Sequence, residues 1–163
     1  MSYSVEELSV GQKASFSKTV TESDIYLFAG VTGDINPAHV NEEYASKTFF
    51  KGRIAHGMLS AGFISAVLGM QLPGPGTIYL EQNLRFLAPV RPGDTVTATV
   101  EVVGLDQKKN TALLRTTCTN QNGQQVVEGL AKVKPPPSQQ GMLIPPKRAG
   151  GASFEAPPAH FSP

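Results

Sequence analysis

GMLSAGFISAVLGM, residues Gly57–Met70, is apolar nearly all the way round at helical spacing, with only Ser60 and Ser65 polar. A helix without a wet face is surrounded by protein. At 14 residues it is short of the roughly 18 needed to span a bilayer, so a buried core helix is expected and not a membrane span. Gly57, Ala61, Gly62, Ala66 and Gly69 are small and let other backbone come close. After the turn PGPG at 73–76 the pattern changes to period two. Residues 77–89, 95–104, 111–119 and 124–134 are rich in Val, Thr and Leu and predict strands. Between them stand Arg91-Pro92-Gly93-Asp94, the turn at 108–110, and Asn122-Gly123, a strong hairpin signal. Another strand is expected near 12–20. Helices followed by a run of strands indicate an α+β fold and not a doubly wound sheet. The expectation is an antiparallel meander wrapped around one central buried helix. The other face of such a sheet, and its edges, need a partner, so a homodimer is expected.

Upstream of that helix the chain is punctuated. Thr21-Glu22-Ser23-Asp24 reads as a capping box before Ile25-Tyr26-Leu27-Phe28-Ala29, a short helix closed by Gly30 or Gly33. GDINPAH at 33–39 reads as a turn. Asn41 is a candidate cap for a second short helix over Glu42, Glu43, Tyr44 and Ala45.

The totals bound what remains. With 163 residues the chain is expected to hold one folded domain, over 1–134. From 135 onward the text is Pro- and Gly-rich, carrying eight of the 13 prolines, and predicts a disordered tail or linker over 135–163. His160 in that tail carries no expected role. A net charge of +1 gives no basic stripe for nucleic acid. The single cysteine, Cys118, excludes an internal disulfide, suits a reducing compartment and falls in an alternating run as a buried thiol. No secretory signal or metal-ligand spacing is visible, so a cytoplasmic protein without metal is expected.

Chemistry concentrates in GDINPAH. Asp34 and His39 lie five residues apart across a proline-containing turn and can converge on one spot. A carboxylic acid and an imidazole together can hold a water, remove its proton and deliver a proton elsewhere. Asn36 can hold the turn or touch a substrate. The bland alternative makes Asp34 a helix-end residue and His39 a surface turn residue. His56-Gly57 stands directly before the apolar helix. The Gly57 N–H is then an unpaired donor at the positive helix end, able to stabilise an oxyanion. Alternatively Gly57 only fits a tight turn, with His56 a satisfied, partly buried histidine. Ser65 lies eight residues into the helix from Gly57, roughly on the same face, where it either bonds a backbone carbonyl or braces Asp34 or His39.

The pattern D-x-N-P-x-H over 34–39, followed by A-H-G-M over 55–58, resembles the MaoC-like (R)-specific enoyl-CoA hydratases, the hydratase 2 family. The resemblance covers roughly residues 5 to 134 and includes TIYLEQNLRFLAPVRPGDTV after the helix. It implies the hot-dog fold, in which a sheet wraps a long central helix. It implies that Asp34 and His39 bind and activate water, with Asn36 the amide beside them. Gly57 corresponds to the backbone donor to the thioester oxygen, and Ser65 to a supporting hydroxyl. The implied reaction is reversible hydration of a trans-2-enoyl-CoA to an (R)-3-hydroxyacyl-CoA, with no cofactor. Conjugate addition of water fits the residues, because it puts negative charge on the thioester oxygen. His39 is assigned as base toward water and Asp34 as donor to Cα, with sharing of these roles left open. Leu68, one turn beyond Ser65, either lines the acyl tunnel or is ordinary core. Lys47, Lys51, Arg53 and Arg85 are candidates for the substrate phosphates. The thioester carrier is CoA or acyl carrier protein. Two other readings of the fold are an acyl-CoA thioesterase and a non-catalytic acyl-thioester binding module.

Overall fold

Thr21 starts the first helix, α1 (Glu22–Thr32), because its hydroxyl accepts the Asp24 N–H while the Asp24 carboxylate accepts the Thr21 N–H. Those bonds, first the backbone N–H of Thr21 and then the Lys18 ammonium, hold the Asp24 carboxyl below its ordinary value. Gly33 closes α1 in the left-handed region at φ 77°, as the capping pattern anticipates. Two short helices follow, α2 (Pro37–Val40) and α3 (Glu42–Ser46), and then α4 (Gly57–Met70). The sheet strands are β1 (Lys13–Thr19), β2 (Ile78–Phe86), β3 (Thr95–Asp106), β4 (Thr111–Thr119) and β5 (Gln125–Lys134). This computed structural model describes residues 1–138. The expected tail beyond 138, with His160, lies outside the described residues. Pro135 and Pro136 are buried against the body, and the Asn110 side-chain amide donates to the Pro135 carbonyl.

All five strands form one antiparallel sheet in the order β1-β3-β4-β5-β2, and α4 packs across it. The α+β hot-dog architecture expected from the sequence is present. The simple meander is not. β3, β4 and β5 are joined by hairpins, but β2 does not pair with β3. It crosses to the far edge and pairs with β5. The reason lies in the connection. The segment after β2 is tied to other parts of the chain: the Ala55 N–H donates to the Val90 carbonyl and the Gly93 N–H to the Val20 carbonyl. It is a crossover, whereas hairpins need tight local turns.

The core sits between α4 and the sheet. β3 alternates strictly, with Val96, Ala98, Val100 and Val102 inward, and β4 does the same with Ala112, Leu114, Thr116 and Cys118. From α4 come Phe63, Ile64, Val67 and Leu68, each worth about 1.5–3 kcal/mol of burial. Desolvation pushes the Cys118 thiol up to about 12, so it is a neutral core group at physiological pH.

α4 is not enclosed all round within one chain. Met58 is 56% exposed and Met70 70%, and Gly62 and Ser65 are also exposed. β2 is equally open, with Ile78, Leu80 and Phe86 on the surface. No helix among the described residues is long and apolar enough to cross a membrane.

Candidate active site

The site is assembled where three chain segments meet: the end of α1, α2, and the start of α4. Gly33 turns the chain out of α1 and places Asp34, whose carboxylate accepts the Asn36 N–H at 3.2 Å. GDINPAH is more than a turn. Asn36 and Pro37 start a one-turn helix, the Asn36 side-chain oxygen accepting the Ala38 N–H at 3.1 Å and Pro37 occupying the first helical position. Asn36 therefore holds the local backbone. His39 falls in the last turn of this helix and is 9% exposed, which removes the surface-residue reading. Its Nδ1 lies 2.8 Å from the Ile54 carbonyl. A carbonyl only accepts, so Nδ1 carries the hydrogen and Nε2 is left as the basic nitrogen.

His56, at the N-cap of α4, closes the cluster and is 2% exposed. Its Nε2 donates to the Asp34 carbonyl at 2.8 Å and lies 4.0 Å from the Asp34 carboxylate. Its ring stacks on that of His39, centroids 3.9 Å apart and planes tilted by 32°, and meets the Phe28 ring at 4.8 Å. One polar atom from each of Asp34, His39 and His56 lies within 4.8 Å of the others. Two of the four imidazole nitrogens there are already engaged, His39 Nδ1 with the Ile54 carbonyl and His56 Nε2 with the Asp34 carbonyl.

The α4 N-terminus has no side-chain cap. The Leu59 N–H folds back onto the His56 carbonyl at 3.0 Å, and Gly57 lines an apolar cavity of about 410 Å³. His39, Gly57, Phe49, Phe50, Phe86 and Val90 line that cavity. The Phe86 ring covers Gly57 so closely that a Cβ there would stand 2.6 Å from it. Gly57→Ala is therefore expected to drive Phe86 across the amide and lower turnover about 100-fold, with little change in melting temperature. Steady-state kinetics beside thermal denaturation checks this.

Ser65 and Leu68 are elsewhere. Ser65 makes no hydrogen bond to Asp34 or His39; it lines a second cavity of about 460 Å³ with Phe28, Met58 and Leu84. Eight residues at about 100° and 1.5 Å each carry it about 80° round the helix and about 12 Å along from Gly57, so the shared face does not hold. Leu68 is buried in the core and lines neither cavity. Of the candidate phosphate ligands, Lys47 pairs with Glu43, Arg85 with Glu128, and Arg53 with both Glu22 and Glu42. The Glu22 and Glu42 bonds raise the Arg53 guanidinium further above its ordinary value. Only Lys51 of the four has no ion pair among the described residues. The sequence reading missed the contacts of His56, and the only signal for them was its place directly before the apolar helix.

The model of the MaoC like domain matches residues 6–123. The chain belongs to the MaoC-like family. An (R)-specific enoyl-CoA hydratase of Rhodospirillum rubrum is 64% identical over 131 residues, covering 80% of this chain and 90% of the relative. An unliganded R-hydratase of Pseudomonas aeruginosa has a TM-score of 0.77 at 42% identity, covering 98% of this chain and 96% of that one. The (R)-hydratase of Aeromonas caviae involved in PHA biosynthesis has a TM-score of 0.78 at 46% identity, covering 80% and 99%.

Proposed function

We propose that this MaoC-like protein is an (R)-specific enoyl-CoA hydratase, a hydro-lyase that adds water reversibly to trans-2-enoyl-CoA to give an (R)-3-hydroxyacyl-CoA. The observation that carries this reading is that His39, whose side chain lies against that of Asp34, lines one apolar cavity together with Gly57 at the uncapped start of α4. Water held between Asp34 and His39 gives a proton to His39 Nε2 as its oxygen bonds to Cβ. The π pair moves toward the thioester oxygen, where the Gly57 N–H and the α4 dipole stabilise the charge. The proton on His39 passes to Asp34, which delivers it to Cα, so one water is consumed and both side chains return to their starting state. The apolar cavity takes the acyl chain and excludes bulk water.

The working form is a homodimer. Exposed Met58 and Met70 on α4 and the open β2 edge present apolar surface and unpaired strand that a second copy covers. The thioester carrier is CoA, with acyl carrier protein the alternative, and the compartment is the cytoplasm. The relatives support the activity by their names and by matching 80% of this chain.

The deciding experiment follows loss of enone absorbance when the purified protein meets trans-2-butenoyl-CoA, with chiral analysis of the product. Rapid loss giving the (R)-3-hydroxy product is expected. Release of free thiol would instead identify a thioesterase. Tight binding without turnover across chain lengths would identify a binding module.

A further inference from the structure

We infer that His56 is a positioning residue for this reaction, holding Asp34 and His39 in register with the Gly57 amide. The inference rests on the hydratase reading. One buried imidazole reaches all three parts of the machinery. Its Nε2 donates to the Asp34 carbonyl at 2.8 Å, its ring stacks on His39 at 3.9 Å, and its backbone is the residue before Gly57. Phe28 closes on the ring at 4.8 Å and limits its freedom.

The other nitrogen makes the case sharper. His56 Nδ1 is buried and has no hydrogen-bond partner. An unpaired acceptor in such a place is destabilising. An apolar side chain would avoid that cost while keeping the packing against Phe28. What it would lose is the Nε2 donor. Asp34 sits on an exposed segment, its side chain 52% accessible, and Gly33 before it is held at φ 77°. The His56 bond is the tie from this segment to the base of α4, 22 residues away in sequence. Without it, only local bonds such as that from the Asn36 N–H to Asp34 Oδ1 hold the carboxylate, and its placement against His39 loosens. Misplacement of this kind lowers rate without abolishing substrate binding.

The test uses the full chain and three variants, His56→Phe, His56→Gln and His56→Asn. Each is assayed for kcat and KM with trans-2-butenoyl-CoA, and each is melted. His56→Phe keeps a flat ring and loses the donor. Its kcat is expected to fall about 100-fold with KM changed by less than about threefold. The Gln amide nitrogen reaches close to the Nε2 position, so His56→Gln is expected to recover kcat to within about tenfold of wild type. The Asn amide reaches only the Nδ1 position and is expected to stay as slow as Phe. Equal rates in Gln and Asn, or a loss that follows melting temperature alone, overturn the inference. Nitrogen NMR of the wild type provides a readout independent of turnover: His56 must carry its hydrogen on Nε2. Hydrogen on Nδ1 alone overturns the inference even if the protein is an active hydratase. Absence of wild-type turnover, with hydrogen on Nε2, removes the hydratase reading, and a positioning role for this reaction falls with it.

Discussion

Asp34→Asn is expected to lower hydration of trans-2-butenoyl-CoA about 1,000-fold and to move the melting temperature by no more than about 2 °C. The two expectations have different origins. Asp34 donates its backbone N–H to the Thr32 hydroxyl and accepts at two atoms, its backbone carbonyl from His56 and its Oδ1 from the Asn36 N–H. Asparagine retains both acceptors. The carboxylate also stands half in solvent, so little core energy rides on it. What asparagine cannot do is move a proton to carbon. The loss therefore appears in kcat, with substrate binding retained, and rate assays beside calorimetry separate the two effects. Turnover within tenfold of wild type would take Asp34 out of the proton path.

Gly129→Ala acts in the opposite sense, on stability first. Gly129 lies in β5 between Thr116 of β4 and Leu84 of β2. A Cβ there would stand 2.0 Å from the Asn83 carbonyl oxygen and 2.9 Å from its carbon. Those atoms are backbone and cannot swing aside. β2 is already irregular, its register shifting between Tyr79 and Glu81, and it is held to β5 by side-chain help such as Asn83 Oδ1 accepting the Leu130 N–H at 2.9 Å. Pushing the strands apart is expected to destabilise by about 3 kcal/mol, or about 6–12 °C in melting temperature. Because β2 carries Phe86 into the cavity beside Gly57, activity should fall along with stability. Gly104→Ala is the control. Its Cβ would meet only Leu113 Cβ, at 3.6 Å, an ordinary contact, so its melting temperature should stay close to wild type. Equal melting temperatures for the two variants would show that β2 can shift at no cost.

The parts of the fold that were legible in the sequence are those with local causes. The capping box at Thr21 and Asp24, the period-two runs of β3 and β4, and the apolar run of α4 each carry their signal within a dozen residues. α2 was read as a turn because four residues are too few to show a helical period, although Asn36-Pro37 was its cap signal. The place of β2 is not legible, since pairing with β5 has no local signature and depends on the crossover that leads from β2 to β3. The site divided in the same way. Asp34 and His39 share one short motif. His56 joins them only through contacts across 22 residues of sequence, and its ring stacking is invisible to any spacing rule. Ser65 was placed near the site by counting along α4, and helical geometry carries it round to the other cavity.

Among the described residues, three of the four helices begin under a side-chain cap, from Thr21, Asn36 and Asn41. α4, the longest, begins under none. A cap contributes about 1 kcal/mol, and its omission here leaves the opening turn of the central helix the easiest place for it to fray. On the proposed mechanism, a thioester oxygen arriving at Gly57 would supply the missing acceptor. Substrate thus completes secondary structure as it binds, and local order at the centre of the molecule becomes a function of ligand concentration. A residue that capped α4 permanently would make the resting protein more rigid and occupy the one position the chemistry needs empty.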